Sequence, residues 1–141
     1  MSRIFVSGQI NDFETVREVQ EALKAAGHTI THDWTTNETG AQMLGSRESK
    51  LANIKEATRR ATNDIRGVLS ADVYVICTNN QDAGKGMYVE LGAAIAVAES
   101  SVDFKVYLLG DMNHMTIFYF HPKVQRVESM EALLEDLGVR A

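Results

Sequence analysis

Two acidic residues in this chain of 141 residues stand where a carboxyl group can do chemistry. Glu90 follows Gly84-Lys85-Gly86 at the start of a helical pattern, near exposed backbone N–H groups and the positive end of the helix dipole. A carboxylate there is expected to stay ionised at neutral pH, as a nucleophile must. A lone Glu in a first helical turn is more often a plain dipole interaction, so position alone does not make it catalytic. Asp64 precedes the strand-like run that begins at Asp72, and taken by itself it reads as a solvated acid. Asp72 reads as structural and Asp82 as a turn former. Trp34, next to Asp33, either stacks on a base or plugs its loop. His28, His32, His114 and His121 show no paired spacing with Cys77, so no metal is expected. Neither a phosphate-binding Gly-Lys-Ser/Thr loop nor a Gly-x-Gly-x-x-Gly turn follows a strand, and no cofactor is expected.

These residues need elements to hold them, and the chain alternates between two periods. Ile4-Phe5-Val6 is a short strand ending in Ser7-Gly8-Gln9. From Asp12, a plausible N-cap, Val16, Val19, Leu23 and Ala26 recur at helical spacing up to Gly27. His28 to Asp33 reads as a second strand, and Trp34 to Ser49 as a long loop. Leu51 to Leu69 reads as one helix with a face of Ile54, Ala57, Ala61, Ile65 and Val68. Asp72 to Cys77 is an unbroken apolar run, the pattern of a strand buried on both faces. A turn to Gly86, a helix to about Glu99 and a strand from Phe104 to Leu109 follow. A weak strand at Val124 to Val127 and a helix at Met130 to Leu137, capped by Ser129, complete the chain. This alternation predicts an α/β fold: one flavodoxin-like, Rossmann-like domain over residues 1–141, a parallel sheet of about five strands with helices on both faces. The expected strand order is 2-1-3-4-5, with ligands bound beyond the carboxyl ends of the strands. Those ends carry Ser7-Gly8-Gln9, Asp33-Trp34, Thr78-Asn79 and Gly110-Asp111.

Composition narrows the class of partner. A net charge of −5 with scattered Lys and Arg lacks the clustered cations that neutralise a nucleic-acid polymer, so a small ligand is the better expectation. The single cysteine forms no internal disulfide, and no apolar stretch reaches the ~18 residues that span a bilayer. No apolar signal region precedes the first strand, and a cytoplasmic location is expected.

Thr62-Asn63-Asp64-Ile65-Arg66-Gly67-Val68-Leu69-Ser70-Ala71-Asp72 and Asp82-Ala83-Gly84-Lys85-Gly86-Met87-Tyr88-Val89-Glu90-Leu91-Gly92 resemble the nucleoside 2-deoxyribosyltransferase family. That family includes the related 2′-deoxynucleoside 5′-monophosphate N-hydrolases. The resemblance implies an enzyme in which Glu90 is the nucleophile and Asp64 protonates or orients the base. Asp82 falls on the acid that contacts the nucleobase, although its spacing to Glu90 is two residues longer than in the transferases. Met112-Asn113-His114-Met115 resembles a loop whose Asn enters a neighbouring subunit's site, which implies a homodimer or higher homo-oligomer. Phe5 stands where many relatives carry a Tyr whose hydroxyl holds the nucleophile. The implied substrate is a small nucleoside or nucleotide, contacted by Ser7, Gly8, Gln9, Asp33, Trp34, Gly84 and Gly86. Two other readings stay open. One is a glycohydrolase acting on NAD or a signalling nucleotide, since TIR-type enzymes also put a catalytic Glu on a flavodoxin-like sheet. The other is a nucleotide-binding protein without chemistry, which Phe5 favours.

Overall fold

The computed structural model describes residues 1–38, 44–79 and 84–140. Five strands, β1 (Arg3–Ser7), β2 (Thr29–Ile30), β3 (Val73–Cys77), β4 (Lys105–Leu109) and β5 (Val124–Val127), form one sheet in the order β2-β1-β3-β4-β5. Every pairing is parallel, as the alternation of strand and helix requires. The helices are α1 (Phe13–Ala25), α2 (Arg47–Ala52), α3 (Ile54–Leu69), α4 (Gly86–Ser100) and α5 (Met130–Arg140). β3 is central and wholly buried, which explains its unbroken apolar sequence.

Register sorts the side chains. Phe5 is level with Tyr74 and Ser7 with Ile76. Phe5 packs on Gly67 of α3, and the Tyr74 hydroxyl donates to the Met87 carbonyl of α4, so these residues share the face covered by α3 and α4. The opposite face meets α1 and α5, where the Tyr107 hydroxyl donates to Asp136. Gly8 is explained by packing: a Cβ there would lie 2.5 Å from Val16 on α1. Asp72 accepts from the Arg3 N–H at 3.0 Å, a structural role at the mouth of β3.

Three sequence expectations change. The strand read from His28 to Asp33 is paired only at Thr29–Ile30, with one more rung from the Thr31 N–H to the Ile4 carbonyl at 2.9 Å. The Ser2, Ile4 and Val6 carbonyls all face this edge; Thr29 and Thr31 serve the first two. The indole N–H of Trp34 donates to the third at 2.8 Å, so a side chain replaces a strand. The region read as a loop from Trp34 to Ser49 contains a 3₁₀ turn, Trp34–Glu38, and the start of α2, where Ser46 and Ser49 cap one another. The single helix read from Leu51 breaks at Asn53 into α2 and α3, because Asn53 leaves the helical region at φ −133°, ψ 51°. Of the apolar face assigned to that helix, only Val68 is buried, and Ile54 is 62% exposed.

α3 lies close to the sheet because Gly67 has no side chain. A Cβ there would lie 2.7 Å from the Phe5 ring and 2.9 Å from His32 Cβ. Phe5 cannot retreat, since it is fully buried and stacked on Tyr74 with centroids 6.2 Å apart. Gly67→Ala should therefore lower stability by roughly 1–3 kcal/mol despite its better helix propensity. Denaturant titration checks this, and an unchanged midpoint would mean that the α3–sheet contact is slack.

Candidate active site

A cleft of about 360 Å³ opens at the carboxyl ends of β1 and β3. Its walls come from the turn after β1 (Gly8, Gln9), from Trp34, from α2 and α3 (Lys50, Arg60, Asp64) and from the start of α4 (Lys85, Gly86, Glu90). Two broader surface grooves contain neither Glu90 nor Asp64. The two acids singled out from sequence thus meet in one cavity.

Glu90 is buried to 8% exposure, one turn inside α4 rather than in its first turn. Ser7 donates to Glu90 Oε1 at 2.7 Å, and Asp64 is in hydrogen-bond contact with the same carboxyl. Beneath them lies Tyr74, fully buried, its hydroxyl in contact with Ser7 and donating to the Met87 carbonyl at 3.2 Å. Burial, the Glu90 charge and neighbouring groups hold the Tyr74 phenol well above its ordinary range, so it is a permanent donor.

Electrostatics correct the expectation that Glu90 stays ionised. Burial first, and then the Asp64 carboxylate, push its pKa up to about 8, against the opposing bond from Ser7. The resting pair therefore holds a proton at neutral pH. Burial likewise pushes the Cys77 thiol up to about 12, so it is a protonated core group.

The other expected site residues divide. Gly8, Gln9, Trp34 and Gly86 line the cleft. Gln9 also accepts from the Asn11 N–H at 2.6 Å, and Trp34 both lines the cleft and plugs the edge of β1. Ser7 faces Glu90 rather than the cavity, and Phe5 lies behind it, fully buried. Asp33 sits at the start of the 3₁₀ turn. Burial acts to raise its pKa, but bonds from Thr35 and Gln20, with Arg17 nearby, outweigh that and hold it low. Gly84 packs against Met87 and Asn113 is exposed on the loop after β4; neither lines this cleft. Asp82 lies outside the described residues. Sequence reasoning missed Tyr74, His32, Lys50, Arg60 and Lys85. For Tyr74 there was a signal, because a phenol within a strand buried on both faces must find a partner. Among the described residues no three His, Cys, Asp or Glu side chains are grouped to hold a metal.

No protein-family model and no curated protein matches the chain in sequence. Two solved structures share its fold. A 2-deoxyribosyltransferase from Bacillus psychrosaccharolyticus superposes with a TM-score of 0.63 at 20% identity, covering 94% of this chain and 90% of that one. The Clostridium botulinum CMP N-glycosidase BcmB superposes with a TM-score of 0.56 at 16% identity, covering 99% of both chains. At these identities the likeness establishes the fold alone: an α/β arrangement of helices on a five-stranded parallel sheet.

The raised pKa of Glu90 has a sign that can be measured. An unfolded Glu titrates near 4.5 and the folded one near 8, so between those values the native state holds a proton that the unfolded chain has lost. The contribution of Glu90 to stability is then fully present below about pH 4.5 and is lost as pH rises toward 8. Glu90→Gln removes this loss and should gain on the order of a few kcal/mol over the parent at pH 8, with the advantage vanishing toward pH 5. Melting curves across that range check it, and parallel pH dependences would contradict the burial of a titrating Glu90.

Proposed function

We propose that this protein breaks the N-glycosidic bond of a nucleoside or nucleoside 5′-monophosphate and passes the sugar to water or to a second base. The observation that carries the reading is the meeting of two carboxyls in one cleft, Glu90 buried and Asp64 half-buried beside it, with Ser7 donating to Glu90 from behind. Double displacement needs one ionised carboxyl and one protonated carboxyl, and a pair holding a single proton supplies both. The proton passes to Asp64. Glu90 bonds to the anomeric carbon, the electron pair of the C–N bond leaves with the base, and the base nitrogen takes the proton from Asp64. Water, or the N–H of an incoming base, then attacks the same carbon. Its proton goes to Asp64, and the ester electrons return to Glu90. Ser7 occupies one oxygen of Glu90 throughout, and the carboxyl becomes the attacking group once Asp64 turns its proton from Glu90 to the base.

Lys50, Arg60 and Lys85 line the cleft of a protein whose net charge is −5. Arg60 is already paired with Glu56 at 2.8 Å, and Lys50 and Lys85 beside it favour a substrate bearing an anionic group, which supports a 5′-monophosphate. The Trp34 indole offers a flat wall for a base, and Gly8, Gln9 and Gly86 offer backbone close to the sugar. By the sequence resemblance, Asp82 contacts the base and Asn113 enters the site of a second copy. Met115, Ile117, Phe118 and Phe120, each more than half exposed, follow Asn113 and give a homodimer an apolar surface to bury.

The decisive experiment is chromatographic. Nucleosides and their 5′-monophosphates are incubated with the protein, with and without a second free base, beside Glu90→Ala. Free base should appear with the parent and not with the variant, and faster from monophosphates. A new nucleoside in the mixed samples marks a transferase. Release of nicotinamide from NAD alone, or binding without release, would replace this reading. Shared sites have their own test: mixing inactive Glu90→Gln with weakened Asn113→Ala protein should restore activity through mixed dimers. A mixture no better than its components would put the whole site in one chain.

A further inference from the structure

Asp64 has a second neighbour that the reaction scheme leaves unused. At the exit of β2, His32 Nε2 stands 3.5 Å from Asp64 Oδ1, and both atoms are shut off from solvent. The approach is built into the fold. Thr31 Oγ1 donates to the Gly67 carbonyl at 2.7 Å, tying the end of β2 to α3. Gly67, without a Cβ, lets His32 settle against the helix one turn from Asp64. His32 faces an outer groove with Asn63, Arg66 and Ser70, whereas Asp64 faces the cleft. The imidazole thus lies behind the acid, away from the substrate.

We infer that His32 is a positioning residue for Asp64, its Nε2–H holding Oδ1 so that the other carboxyl oxygen is presented to the departing base. This rests on the assignment of Asp64 as proton donor. A proton on Nε2 donates whether the ring is neutral or charged. The 3.5 Å separation is longer than a hydrogen bond, as catalytic contacts often are before substrate binds, and holding Oδ1 requires it to shorten in the complex. The bond matters most at one step. When Asp64 gives its proton to the base, Glu90 has become an ester, so the only new negative charge of the pair is on Asp64. A fixed N–H donor stabilises that charge where it forms. No proton passes through His32; it travels from Asp64 to the base and is returned by water or the incoming base.

A leaving group that departs without protonation separates this role from simple support of the fold. Turnover is measured on the best substrate of the panel and on the p-nitrophenyl glycoside of the same sugar. His32→Phe should lower kcat for base release about tenfold or more, a fraction of the ~10²–10⁴ supplied by a general acid, while KM and p-nitrophenol release change little. His32→Gln, which keeps an N–H donor at similar reach, should retain most of the parent kcat. Equal losses on both leaving groups, equal losses in both variants, or no loss overturn the inference. Asp64→Asn is the reference: if it does not separate the two leaving groups, the assignment of Asp64 fails, and that of His32 with it. If no substrate releases base, the proposed function itself falls.

Discussion

A carboxyl group sunk in a protein interior beside another carboxyl is unfavourable, and the surroundings of Glu90 are arranged to tolerate it. Retaining a proton removes most of the repulsion from Asp64, and Ser7 satisfies one oxygen. That bond exists only because β1 ends with Ser7 level with Ile76 of β3, which puts Ser7 and Tyr74 on the same face under α4. α4 in turn packs on the sheet through Met87, Leu91 and Ile95, with Ala94 and Ala98 buried between them. Alter the register of β1 against β3 by one residue and Ser7 faces the opposite side of the sheet. The carboxyl would then lose its one donor from the sheet.

The same logic explains Phe5. In β1 its ring, which carries no hydroxyl, is packed between Tyr74 and Gly67. The hydroxyls near Glu90 come instead from the neighbouring strand and from the last residue of β1. Of the two, Ser7 alone donates to Glu90, while the Tyr74 hydroxyl beside it gives its proton to the Met87 carbonyl. With Phe5 in that place Glu90 still has one hydroxyl donor, Ser7.

Much of the fold was legible because the strands announce themselves. The unbroken run of β3, the alternation with helical periods and the turn glycines leave few topologies for a chain of this length. Where the reading failed, the cause was tertiary. β2 is cut short by the indole of Trp34, which no periodicity reveals. The helix break at Asn53 lacks the Pro or Gly that usually marks one. Glu90 and Asp64 were visible through motif resemblance, but the protonation of Glu90 depends on burial that sequence does not display. Lys50, Arg60 and Lys85 come from α2, α3 and the turn before α4, so their convergence appears only once the elements are packed. Asp33 looked like a ligand because it ends a strand; its carboxylate is spent on Thr35 and Gln20.

The open edge of a parallel sheet is a surface on which another chain can polymerise, and here that edge is barely covered by strand. β2 contributes only two paired residues, and beyond them β1 would offer the Val6 carbonyl to any extended segment that came by. The indole of Trp34 closes that rung. One aromatic side chain at the mouth of the cleft thus also acts against self-association, so a change there made to widen the pocket would bring a solubility cost unrelated to catalysis.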